Sequence, residues 1–149
     1  MQETFRDVKV RNVGVYHDMM QGMQRGKNSI FIVEADGLRF VHLGDLGHLL
    51  SDDQVRQIGP VDVLMIPVGG VYTINGSKAK EVMAQLKPRM YVLPIHYGTL
   101  TFQDLLPPDE FLDGLPNVQR LLTTNELVIR TDFRPPAPAV VLLGWEKKR

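Results

Sequence analysis

Two short runs fix what this chain can become. Residues 61–68 (V-D-V-L-M-I-P-V) and 90–95 (M-Y-V-L-P-I) are nearly all apolar. Runs of that length and character read as strands covered on both faces, the habit of parallel strands in layered α/β proteins. Between them, Ser77 can cap a helix that continues to about Leu86, with Ala79, Val82, Met83 and Leu86 on one face. Pro88 stops it. Strand, helix and strand in that order predict a mixed α/β protein with helices packed on a sheet.

The flanking segments extend the pattern. Residues 8–15 alternate apolar and polar, and 29–34 form a second β-rich run. Asp36-Gly37 supplies a hairpin turn into a return strand at 38–43. Residues 19–28 lack a clean period and read as a loop, in which Met19, Met20 and Met23 fill gaps. Ser51-Asp-Asp-Gln54 has the form of a capping box, so a short helix should run to Gly59-Pro60. Pro107-Pro108 opens a third helix. Short strands are expected at 118–122, 126–130 and 140–143, with a proline connector at 135–138 and a basic tail at 147–149.

With 149 residues, the chain is long enough for one domain with a real core. The formal net charge is zero, which removes the electrostatic case for nucleic acid or an anionic membrane as partner. The absence of cysteine excludes disulfides, thiolate metal sites and a cysteine nucleophile. It also fits a reducing compartment. Residues 1–9 are polar, unlike a signal peptide, and no apolar run approaches the roughly 18 residues of a membrane span. A cytoplasmic, soluble protein is the expectation.

Chemistry concentrates in residues 41–48, V-H-L-G-D-L-G-H. Asp45 follows the end of a buried strand, where α/β sheets place their ligand sites. His17-Asp18 and His96 stand in the same relation to their own strands. Two imidazoles and a carboxylate from three strand ends could hold a divalent ion and leave positions open for water. Zinc, manganese and iron all accept such ligands. Each residue also has a plainer reading. A lone histidine after a strand is more often hydrogen-bonded structure than a ligand, and Asp45 can serve its own turn. His42 alternates away from Leu43, which favours packing or hydrogen bonding behind a ligand. His48 divides evenly between supporting the site and touching substrate. Ser51 and Ser77 read as caps. Gly69-Gly70 is no phosphate loop, because no Gly-Lys-Ser/Thr follows. Arg25 and Lys27 belong to a solvated loop, with an anion contact open to them if a site lies beside His17.

Taken together, Y-H-D at 16–18, R-G-K-N at 25–28, H-L-G-D-L-G-H at 42–48, D-V-L-M-I-P-V-G-G at 62–70 and P-I-H-Y-G at 94–98 resemble the metallo-β-lactamase superfamily. The likeness is strongest to its bacterial and archaeal branch of Zn-dependent hydrolases, the lactonase-like and uncharacterised group. It extends from about residue 8 to about residue 100. The resemblance implies an αββα sandwich. It implies that His17 is a ligand of a first metal, Asp45 the carboxylate bridging two metals and His96 a ligand of the second. Zinc is the implied metal, with manganese or iron as alternatives. The implied chemistry is attack by a metal-bound hydroxide on an ester, lactone, amide or phosphodiester in a small-molecule substrate. Asp45 and His48 are the candidate catalytic side chains.

One departure from the family is large. Its His-x-His-x-Asp-His motif belongs upstream of His17, and these 149 residues do not contain it. The expectation is a single partial domain over 1–149, the C-terminal half of the sandwich. The missing surface and ligands would then come from a longer enzyme, a complementing chain or a second copy in a homo-oligomer. The competing expectation is a non-catalytic oligomeric or partner-binding protein that keeps the fold.

Overall fold

The computed structural model describes residues 1–144, so the basic tail at 147–149 lies outside the described residues. The elements run β1 (Gln2–Phe5), β2 (Val8–Tyr16), β3 (Lys27–Ala35), β4 (Leu38–His42), α1 (Asp52–Ile58), β5 (Val63–Pro67), α2 (Gly76–Leu86), β6 (Tyr91–Ile95), α3 (Asp109–Leu112), β7 (Val118–Arg120) and β8 (Ala139–Leu142). All the strands join one eight-stranded sheet in the order β1-β2-β3-β4-β5-β6-β8-β7. Pairing is antiparallel from β1 to β4 and parallel from β4 onward. The α/β class expected from the two apolar runs is the class observed.

Local chemistry accounts for the joints. Asp36 and Gly37 both have positive φ, at 51° and 73°, as the two-residue turn between paired Ala35 and Leu38 requires. Ser51 caps α1, and Gln54 reaches back to complete the capping box. Helix α2 begins two residues earlier than a Ser77 cap would place it. Its cap is Asn75, whose side chain accepts from Lys78 N at 3.0 Å. Ser77 lies inside the first turn and gives its N–H to Glu110. The strand expected at 126–130 is absent. Conversely, β1 forms within a stretch whose polar, exposed residues gave no strand signal.

The two faces of the sheet differ. Arg11, Ile32, Val41, Leu64, Val92 and Val140 stand in cross-strand register on one face. The apolar members of that row are at most 4% exposed and join a core that also holds Ile58 of α1, Ala79 and Val82 of α2, and Phe111 of α3. All three helices therefore cover the same face. The opposite face carries the rows Phe31–His42–Met65–Leu93 and Val33–Phe40–Val63–Tyr91. Of these, only Val63 is buried, and Phe31 is 40% exposed. Among the described residues no helix packs on that face. No helix there is long and apolar enough to cross a membrane.

Candidate metal centre

Strands β2, β4, β5 and β6 point the same way, so their C-terminal ends share one edge of the sheet. His17 follows β2, Asp45 follows β4, Gly69 follows β5 and His96 follows β6. The fold thus brings together the three residues singled out as metal ligands. His17 Nε2 lies 3.3 Å from Asp45 Oδ2, and His96 Nε2 lies 3.6 Å from Asp45 Oδ1. Each imidazole faces a different oxygen of one carboxylate. The Asp45 side chain remains 48% exposed, so its oxygens stay open to the mouth of the site.

Close backbone packing fixes these positions. Gly47 N donates to Tyr16 O at 3.1 Å, and a Cβ at Gly47 would collide with the backbone of His17. Gly69 N donates to His96 O at 3.0 Å, and a Cβ there would strike that same oxygen. His96 itself has φ of 51°, a left-handed conformation that costs a non-glycine residue roughly 1–2 kcal/mol. Its strained backbone is held where its ring meets Asp45.

Two side chains support the site in roles that the sequence does not disclose. Asn28 on β3 donates to Leu43 O at 2.8 Å and accepts from Asp45 N at 3.1 Å, gripping the Gly44–Asp45 turn from both ends. Asp18 is 3% exposed and accepts N–H groups from Met20, Gly22, Gln24 and Arg25. Burial alone would raise its pKa, but the four backbone donors outweigh it and bring the carboxyl from 3.8 down to about 2. The loop that follows His17 is therefore wound around a fixed charge. The signal for Asn28 was its place in the R-G-K-N motif. Nothing local marked Asp18 as an acceptor for its own loop.

The remaining histidines have structural bonds. His48 Nε2 accepts from Tyr16 N at 3.1 Å, so Nδ1 carries the proton and donates to Leu49 O at 2.6 Å. With both nitrogens on backbone groups, His48 braces β2 against the Asp45 loop. His42 lies on the open face and accepts from Gly44 N through Nδ1 at 3.0 Å, in keeping with the hydrogen-bonding role expected of it.

The donor set fits a divalent ion pair by pair. Two donors about 2.1 Å from one tetrahedral ion stand roughly 3.4 Å apart, close to both His–Asp separations. Three donors around one ion are not what is seen. Among the described residues no group of three or more His, Asp or Glu side chains is placed to hold a metal. His17 Nδ1 and His96 Nδ1 are buried and have no hydrogen-bond partner, whereas the outer nitrogen of a ligating histidine is normally engaged. The surroundings of both rings are incomplete.

Known proteins resemble this chain in sequence and in fold. A Thermococcus onnurineus metal-dependent hydrolase is 31% identical over 94 residues, which is 62% of this chain and 42% of that protein. One from Pyrococcus abyssi is 35% identical over 95 residues, 62% of this chain and 41% of its own length. The chain thus spans less than half the length of these curated relatives. A solved Thermotoga maritima structure, provisionally described as a Zn-dependent hydrolase of the metallo-beta-lactamase superfamily, superposes with a TM-score of 0.81 at 36% identity. That superposition covers 97% of this chain and 69% of the other. A Parabacteroides distasonis protein at 19% identity and TM-score 0.56 shares the fold. The model of the beta-lactamase superfamily domain matches residues 2–96, well over half of the sequence, and so the chain belongs to the beta-lactamase superfamily.

Proposed function

We propose that this chain contributes one side of a dinuclear metal site in a hydrolase. The observation that carries the reading is the placement of His17 Nε2 and His96 Nε2 on different oxygens of Asp45. Asp45 would bridge two ions, with His17 holding one and His96 the other. Zinc is the first candidate, supported by the description of the Thermotoga maritima relative, and manganese and iron suit the same donors. Bound there, a divalent ion supplies Lewis acidity and lowers the pKa of an attacking water. The chain's own residues position and shield. Asn28 keeps the carboxylate aimed, Gly47 and Gly69 seat the two histidines, and His48 ties their loops together. An ester, lactone, amide or phosphodiester of a small molecule is the proposed substrate.

Each ion would have only two donors from this chain, fewer than a closed site needs. The other ligands are proposed to come from the part of the sandwich that the longer relatives possess, in the same polypeptide, in a complementing chain or in a second copy. The uncovered sheet face with Phe31, Phe40, Met65 and Leu93 is where that part would pack. Metal analysis tests the reading. The chain alone should hold at most one divalent ion per molecule, weakly, and Asp45→Ala should abolish that binding. Unchanged metal content and activity in a folded Asp45→Ala protein would favour a non-catalytic partner-binding role.

A further inference from the structure

A groove of about 330 Å³ opens beside His17, between the loop that follows β2 and the first turn of α2. Two cations from different elements line it. Arg25 comes from the loop, with its guanidinium 5.5 Å from the ring centre of Tyr72 and only a long 3.4 Å bond to Val71 O. Lys78 comes from α2, and its ammonium donates to the thioether of Met19 at 2.9 Å, a weak acceptor. Among the described residues neither cation is paired with a carboxylate. The acid in the lining, Asp18, has its charge taken up by four backbone N–H groups. Asp45 does not line the groove. The rest of the wall includes exposed apolar surface, with Met20 at 50% and Tyr72 at 47%.

Two cations that line one groove without a carboxylate partner, next to a proposed ligand, ask for an oxyanion. We infer that this groove is an anion subsite, which holds a carboxylate or phosphate of the substrate through Arg25 and Lys78 while the body of the molecule lies against Tyr72 and Met20. The guanidinium fork suits two oxygens of such a group, and the ammonium supplies a point charge. This rests on the hydrolase reading for its substrate but on separate residues for its binding.

Titration of the full chain with inorganic phosphate, followed through backbone amide signals, tests it. Saturable shifts are expected at residues 24–26 and 76–78. Arg25→Gln and Lys78→Gln should each weaken binding about tenfold, the size of one lost charge-assisted contact. Lys80→Gln, whose ammonium already bonds Asp113 O, should leave affinity unchanged. Absence of saturation, an identical response to chloride, or full affinity in the Arg25→Gln/Lys78→Gln double variant would overturn the subsite. Asp45→Ala separates the two ideas. Retained phosphate binding without metal binding is expected. Loss of phosphate binding would move the anion to the metal centre and overturn the subsite while leaving the hydrolase reading in place. In the assembled enzyme an anionic ester should show a KM about tenfold below its neutral isostere, a preference absent from the double variant. Equal KM values in the unmodified protein would overturn the substrate assignment.

Discussion

Asn28 reaches across from β3 and holds both ends of the turn that presents Asp45, with one amide group on Leu43 O and Asp45 N. Asn28→Ala leaves both backbone groups without partners. A loss of about 1–3 kcal/mol is expected from urea unfolding, with an unchanged m-value. Asp18 gives a pH-dependent counterpart. Its folded pKa lies below its ordinary value, so the charged form contributes stability that is complete above the ordinary value of 3.8 and is lost as pH falls through about 2. The urea midpoint of Asp18→Asn should trail the parent protein by a constant margin from about pH 8 to 5, and the margin should shrink below about pH 4. A margin that ignores acid would remove Asp18 as the charge that organises its loop. At this scale the sequence disclosed the residues that stand out by type, a carboxylate between glycines and histidines at strand ends. It shows Asn28 and Asp18 as members of motifs but hides their roles, because an amide or carboxylate bonded to backbone looks no different in sequence from a solvated one.

Among the elements, α1 was legible because its capping box is complete within four residues. Ser51 Oγ accepts from Gln54 N at 3.2 Å, and Gln54 Oε1 accepts from Ser51 N at 2.9 Å. Ser51→Ala is expected to cost about 1 kcal/mol, read as a lower thermal midpoint with the site geometry intact. The start of helix α2 is not decided by local sequence, because Asn75 and Ser77 are both good caps in isolation. In the fold Asn75 takes the cap, and Glu110 of α3 takes the Ser77 N–H at 3.0 Å. The strand expected at 126–130 had the right residues and found no neighbour. Strand β1 had the wrong ones and pairs with β2 all the same. Strand formation at the edges of this sheet follows backbone pairing, which side-chain pattern does not report.

For the whole molecule, the imbalance between the two sheet faces matters most. A helix-covered core backs one face, and on the other Phe31, Phe40, Met65 and Leu93 are left part-exposed. Burying a large apolar side chain is worth about 1.5–3 kcal/mol, so whatever packs there gains from several at once. Sedimentation equilibrium of the chain alone should show concentration-dependent association, and Phe31→Lys should weaken it. A monomer at all concentrations, in both proteins, would count against this face as an interface. The order of the sheet carries a further consequence, for the way the chain assembles. From β1 to β6 each strand lies beside its neighbour in sequence. The antiparallel part closes through tight turns at 6–7 and 36–37 and a longer loop at 17–26, all between strands adjacent in sequence. His17 and Asp45 are both delivered by that part, whereas His96 must wait for the longer crossover through α2. The two imidazoles therefore reach the carboxylate by different kinds of connection, His17 through antiparallel pairing and His96 only through the parallel crossovers by α1 and α2.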